Sequence, residues 1–179
     1  SDGICALREQ GRAAVMAVLK KHTAATQDTI ALPRYWRFAA ELPRNAQAKI
    51  AAADFQTAVS EAQTAPGWPL EMENPAENEW QISSRVPLDL VYFGGHFAQF
   101  PLVPGVGELQ WVRDLAARFD WGRQSIVRVE NLKYQQFLRP NDEARVHLKY
   151  YADKNKLTFR LENTDAVGAS GRLVFGGFQ

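Results

Sequence analysis

The sequence predicts an α+β domain in which an antiparallel sheet wraps around one central helix. Apolar residues from 106 to 119 recur at steps of three and four, the period of a helix packed along one side. Farther along, residues 144–150 and 157–161 alternate apolar and polar positions, which is typical of strands with one buried face. A strand, one helix and then consecutive strands suit a sheet packed on a single helix.

Two short helices and a linker are predicted ahead of this domain. Apolar residues at 14–19 follow helical spacing, and residues 51–62 predict a second helix with one apolar stripe. The next stretch collects three prolines, a glycine and several acidic residues, which is a linker signature. The expected organisation is a helical segment at 1–62, a linker at 63–77 and the sheet domain at 78–179.

The strands of the sheet domain follow from alternation. Residues 80–90 predict the first strand, and residues 127–138 predict another whose phase changes near Asn131, which suggests a bulge or kink. The alternating runs 144–150 and 157–161 predict a hairpin with its turn at 153–155. A last strand is expected around 170–175.

Composition narrows the possible partners and locations. A net charge of +1 gives no electrostatic case for nucleic acid. No apolar stretch approaches the roughly 20 residues needed to cross a bilayer, so no membrane span is expected. With one cysteine, Cys5, and no signal-peptide pattern, the cytoplasm is the expected location.

Metal and cofactor chemistry has no motif in this sequence. The three histidines are scattered and, with Cys5, give no metal-ligand spacing. The glycine-rich runs G-G-H and P-G-V-G lack the spacing of a dinucleotide or phosphate fingerprint. We therefore expect neither a metal nor a cofactor.

The stretch 92–111, Y-F-G-G-H-F-A-Q-F-P-L-V-P-G-V-G-E-L-Q-W, sets His96 nine residues before a Pro-Gly helix start. A histidine titrates near neutrality and can act as a general base. A helix that opens near Gly105 presents free backbone N–H groups and a positive dipole end, which can polarise a carbonyl oxygen. The pattern therefore predicts a catalytic geometry, with a histidine placed ahead of a helix start that can polarise a carbonyl oxygen.

This stretch resembles the motif G-H-F-P-x-x-P-x-x-P-G-V of the hotdog-fold 3-hydroxyacyl-thioester dehydratases of fatty-acid and polyketide synthesis, with Ala98 where that family usually has proline. K-Y-Q-Q-F-L-R-P-N-D, at 133–142, is similar to a later segment of the same family. The resemblance spans roughly residues 78–176. It implies a hotdog fold and a substrate carried as a thioester on acyl carrier protein or coenzyme A.

The resemblance also implies site roles. His96 takes the role of the base, and the N–H of Gly105, next to Val106 at the helix start, binds the thioester carbonyl. Dehydratase sites of this family are shared between subunits, so a homodimer or higher oligomer is implied.

The family's acid stands fourteen positions after the histidine, where this chain has Gln110. Glu108 is expected to point away from the shared site, because two helical steps rotate it about 200° from Gln110. Asp114 lies one turn beyond Gln110 on the same face. Either Asp114 supplies the acidic proton through a water, or His96 alone takes the α proton and returns it to the hydroxyl. The non-catalytic alternative is that Asp114 is an exposed carboxylate that pairs with Arg118 at i+4.

Two other functions remain open for a chain with this motif. Gln110 in the acid position motivates a catalytically weak acyl-thioester-binding or scaffolding module. A thioesterase on the same fold is the other alternative.

Residues 32–50, L-P-R-Y-W-R-F-A-A-E-L-P-R-N-A-Q-A-K-I, are similar to the end of AMP-forming acyl-adenylating ligases, where P-R-N-x-x-G-K precedes a final helix. The family's lysine contacts the carboxylate and adenylate, and Lys49 falls on it, with Ala48 in place of the usual glycine. The nucleotide-binding body of such ligases is absent from these residues. The resemblance implies a fragment of a ligase–dehydratase fusion, and the alternative is a solvated lysine.

Overall fold

The computed structural model describes residues 2–60, 63–95, 98–164 and 166–176. The chain forms two compact units, each built from separate stretches of sequence. Unit 1 comprises Ser1–Thr64, Pro87–Leu102 and Arg139–Asn141. Unit 2 comprises Ala65–Val86, Val103–Leu138 and Asp142–Gln179.

Unit 2 contains a six-stranded antiparallel sheet and one α-helix. The strands are β1 (Glu73–Ala76), β2 (Glu79–Arg85), β3 (Ile126–Tyr134), β4 (Glu143–Tyr151), β5 (Lys156–Glu162) and β6 (Val167–Phe175). Their order across the sheet is β1-β2-β4-β5-β6-β3, and every neighbouring pair is antiparallel. The helix, which we call α3, spans Gly105–Ala116 and lies in the chain between β2 and β3.

The core of unit 2 joins α3 to the sheet. Trp111, Val112 and Leu115 of the helix are buried, as are the inward-facing apolar residues of β4, β5 and β6. Just beyond the helix, the ring of Phe119 lies 4.4 Å from Trp80 of β2, centroid to centroid. This arrangement is the α+β hotdog architecture that the sequence predicts.

The predicted hairpin and bulge are both confirmed. β4 and β5 pair in continuous register from Arg145–Glu162 to Tyr151–Lys156. The turn between them ends at Asn155, whose φ of 45° lies in the left-handed region that asparagine tolerates. In β3, Asn131 has φ 51°, and the register with β6 shifts between Glu130 and Lys133.

The first strands differ from the prediction. β1 lies inside the stretch predicted as a linker. Its composition, which includes Pro75, is that of a loop, but proline is tolerated in an edge strand such as β1, which pairs only with β2 in the described part of the sheet. The strand expected over 80–90 ends at Arg85, where the chain leaves the sheet just before Pro87. The apolar residues that follow are buried outside any strand, so their alternation reflects burial alone.

The described part of unit 1 contains two α-helices and two short 3-10 turns. Helix α1 spans Asp2–Thr26, and helix α2 spans Ala52–Ser60. The 3-10 turns are Thr29–Ala31 and Val91–Gly94. Gly11 interrupts α1 with φ 79°, and a Cβ there would lie 1.9 Å from the carbonyl oxygen of Ala98. Only glycine fits this close approach.

Polar contacts tie the three segments of unit 1 together. Arg12 of α1 forms a salt bridge with Asp89, and Arg37 lies 3.5 Å from the same carboxylate. Arg8 donates a hydrogen bond to the carbonyl of Pro140 at 2.7 Å, and Arg139 donates to the carbonyl of Arg8. The first helix therefore holds both of the other segments, while the predicted boundaries at residues 62 and 77 stay a prediction.

None of the helices in the described ranges is long and apolar enough to cross a bilayer.

Candidate active site

His96, the predicted base, lies outside the described residues. Gly94 and Ala98, two positions before and two positions after it in the sequence, line a groove of about 430 Å³ in unit 1. The other lining residues come from the Val91–Gly94 turn and α1 and are Phe93, Arg12, Ala13, Met16, Ala17 and Lys20. The wall is thus mainly apolar, with two cations at its margin.

The N-terminus of α3, the predicted carbonyl-binding site, has no side-chain cap. Pro104 is the N-cap residue, and it makes no side-chain capping hydrogen bond. The first N–H groups of a helix have no intrahelical partner, so those of Gly105 and Val106 are available to an acceptor. Val106 is 75% exposed, whereas Gly105 is partly buried beside the Tyr134 ring.

Tyr134 of β3 fixes the first turn of α3. Its hydroxyl donates a hydrogen bond to the carbonyl oxygen of Gly105 at 2.9 Å. A Cβ at position 105 would lie 2.5 Å from the Tyr134 ring, so the ring can pack on the helix start only where glycine stands. The Tyr134 side chain therefore helps to hold the first turn of α3 in position.

Gln110 and Asp114 lie together on the exposed face of α3. The amide Nε2 of Gln110 donates a hydrogen bond to Oδ1 of Asp114 at 2.7 Å, as expected for residues one turn apart. Arg118, the alternative partner of Asp114, instead donates to the carbonyl of Pro69 at 2.6 Å. Whether either residue takes part in catalysis stays a prediction.

Glu108 is buried on the inner side of the helix and is 2% exposed. Burial raises the pKa of its carboxyl to about 7, and a hydrogen bond from the backbone N–H of Leu138 acts in the opposite direction. Its Oε2 atom is buried and has no hydrogen-bond partner in the described chain. Burial, and then the nearby Glu108 carboxyl, raise the pKa of Tyr134.

Comparison with known proteins assigns the family. Residues 72–172, more than half of the chain, match the profile of the ApeI-like family, described as ApeI dehydratase. The chain belongs to the ApeI-like dehydratase family. The matched range of this ApeI-like chain includes β1 to β5, the first part of β6, α3 and the segment that carries His96.

Two solved structures resemble the ApeI-like chain over most of their own length. The dehydratase heterocomplex ApeI:P from Xenorhabdus doucetiae is 27% identical, with a TM-score of 0.57, over 63% of this chain and 99% of that one. An uncharacterized protein from Erwinia carotovora subsp. atroseptica is also 27% identical, with a TM-score of 0.56, over 64% of this chain and 98% of that one. No curated protein sequence gives a significant match.

Glu108 is the residue of the ApeI-like chain that sequence reasoning set aside. Its rotation from Gln110 predicts only that it points away from Gln110, whereas the structure shows that this direction is the buried side of the helix. Trp111, Val112 and Leu115 follow Glu108 at i+3, i+4 and i+7, the spacing of one helical face. An acidic residue on an otherwise apolar face is the signal that identifies it.

Lys49 lies in an exposed loop of unit 1. The side chain of Asn45 accepts hydrogen bonds from the backbone N–H groups of Gln47 and Lys49, at 2.9 and 3.0 Å. Ala48 has φ 59°, in the left-handed region that glycine enters freely, and glycine is the usual residue at this position of the ligase motif that the stretch resembles. The loop thus has an ordered backbone, and its ligase origin stays a prediction.

Proposed function

We propose that this protein dehydrates 3-hydroxyacyl thioesters, carried on acyl carrier protein or coenzyme A, to 2-enoyl thioesters in fatty-acid or polyketide-type synthesis. The observation that carries the proposal is the ApeI-like dehydratase match across residues 72–172. The uncapped N-terminus of α3 adds chemical support, because dehydration needs a donor for the thioester carbonyl oxygen.

In the proposed reaction, His96 removes a proton from the α carbon of the thioester. The N–H groups of Gly105 and Val106 stabilise the negative charge that develops on the carbonyl oxygen. The C–H electron pair becomes the α–β double bond as the β C–O bond breaks, and the hydroxyl leaves as water once it receives a proton. No cofactor takes part in this scheme.

We also propose that the protein acts as a homodimer or higher oligomer joined along β3. This strand is at the edge of the sheet, and it pairs with β6 on one side. Its exposed apolar side chains are Val127, Val129, Leu132 and Tyr134. A long apolar edge of this kind is a template for pairing with another chain. The Xenorhabdus relative is itself a heterocomplex, which supports a partner chain.

The second candidate is a weakly catalytic acyl-thioester-binding or scaffolding module. It is favoured by the exposed Gln110–Asp114 pair, because an amide stands where the related enzymes have an acid and cannot donate that proton usefully. A hotdog thioesterase is a further alternative, because hydrolysis would use the same carbonyl-binding amides.

The deciding experiment incubates the protein with a 3-hydroxyacyl thioester of coenzyme A and follows the absorbance of the conjugated enoyl product. We expect enoyl formation by the wild type, and a loss of at least about 100-fold in kcat for His96→Ala, as for removal of a general base. Release of free thiol without enoyl product would indicate a thioesterase. Binding without either product would indicate the scaffolding module and contradict the proposal.

A further inference from the structure

Glu108 differs from the other buried carboxylate of the described chain. Asp89 forms salt bridges with Arg12 and Arg37, so that its Oδ2, which also makes no hydrogen bond among the described residues, lies 3.5 Å from a guanidinium nitrogen. The Glu108 carboxyl has the Leu138 backbone N–H as its partner, and its Oε2 is left without one. A buried polar atom without a partner is costly and needs an explanation, such as a ligand that completes it.

Glu108 lies on the same face of α3 as Gly105, the predicted carbonyl-binding residue. It follows Gly105 at i+3, so the two are neighbours on one face. At 100° per residue, Gln110 is about 140° from Gly105 and Asp114 about 180° from it. Tyr134 donates a hydrogen bond to the Gly105 carbonyl, and the charge of Glu108 contributes to the raised pKa of Tyr134. The Tyr134 side chain is therefore close to both residues. Glu108 is therefore nearer to the helix start, by face and by chain, than either exposed candidate.

The protonation state suits a proton donor. With the pKa of Glu108 raised to about 7, a large share of the molecules carry a neutral carboxyl at neutral pH. A neutral carboxyl has one O–H donor, and the unpartnered Oε2 is an oxygen that can carry it. A proton donor whose pKa is near the working pH is the form that general acid catalysis favours.

We propose that Glu108 is the general acid that protonates the leaving 3-hydroxyl group, an assignment that rests on the proposed dehydration. The hydroxyl is on the β carbon, within about one helical turn, 5 Å, of a carbonyl oxygen bound at Gly105. The proton passes from the carboxyl to the hydroxyl, directly or through one water, as the C–O bond breaks. Water leaves, His96 keeps the α proton, and solvent returns a proton to Glu108.

The test compares wild type with Glu108→Gln, which keeps the shape but carries no acidic proton. Glu143→Gln, a surface change on β4, is the matched control. Each protein is given 3-hydroxybutyryl-coenzyme A in D₂O. Enoyl formation reports elimination, and deuterium uptake at the α carbon reports the proton abstraction by His96. Circular dichroism establishes that each variant is folded.

We expect Glu108→Gln to lose at least about 100-fold in kcat for enoyl formation while it still exchanges the α proton. The wild-type rate should fall as pH rises through about 7, and this fall should be absent from the residual rate of the variant. Wild-type elimination by Glu108→Gln would overturn the proposal, and so would equal loss of elimination and exchange. A wild type that forms no enoyl product would instead refute the proposed function.

Discussion

At the residue scale, the backbone conformation of Ala48 is strained. Its φ of 59° is in the left-handed region, which an L-residue with a Cβ enters at a cost of roughly 1–2 kcal/mol. The loop nevertheless closes, because the Asn45 backbone N–H donates to the Lys49 carbonyl at 2.8 Å and its side chain accepts two hydrogen bonds. The hydrogen bonds of the loop offset the strain.

Replacing Ala48 with glycine should therefore stabilise the protein. We expect Ala48→Gly to raise the free energy of unfolding by up to about 1 kcal/mol, since glycine enters the left-handed region freely but loses more entropy on folding. Urea denaturation measures the change. Ala58→Gly, inside the exposed helix α2, is the control and should lower stability by a similar amount. Equal effects of the two changes would contradict the strain at Ala48.

At the element scale, the sequence was most informative where a period is long and unbroken. The helical spacing of residues 106–119 predicted α3, and alternation predicted β4 and β5. β1 could not be found, because a short edge strand with a proline has the composition of a loop. For the candidate site, the sequence indicates the helix start and the neighbouring Gln110 and Asp114. It does not indicate that Glu108 Oε2 is buried without a hydrogen-bond partner in the described ranges, because that depends on tertiary packing.

The exposed edge of β3 leads to a prediction about assembly. A lysine at Val127 places a charge on the apolar edge, so we expect Val127→Lys to weaken self-association at least about tenfold, as charged edge residues oppose pairing. Analytical ultracentrifugation measures the dissociation constant. Val18→Lys on α1 is matched in exposure, at 65% against 63%, and should leave association unchanged. Equal association of both variants would place the interface elsewhere.

At the scale of the whole molecule, Glu108 couples global stability to pH. Its pKa in the folded protein is about 7, against 4.5 when freely exposed, so the folded state binds this proton more tightly than the unfolded state. The stability that it contributes is complete below pH 4.5 and is lost as pH rises through 7. The carboxyl thus opposes folding in mildly alkaline solution.

Glu108→Gln removes this dependence. We expect the free energy of unfolding of the wild type, relative to the variant, to fall by about 2–3 kcal/mol between pH 5 and pH 8. Urea denaturation at several pH values measures the difference between the two proteins, which cancels the titration of all other groups. A difference that stays constant between pH 5 and pH 8 would show that the pKa of Glu108 is not raised in the folded protein.

The division of unit 1 among three stretches of chain has a consequence for biosynthesis. A ribosome adds about 5–20 residues per second, so the first 64 residues emerge several seconds before Arg139–Asn141. Until then Arg8 lacks Pro140 as its acceptor, and Gly11 has no carbonyl to rest against until Ala98 appears. During synthesis α1 is therefore made several seconds before the residues that it packs against, so we expect it to reach its final packing only after residue 140 has emerged.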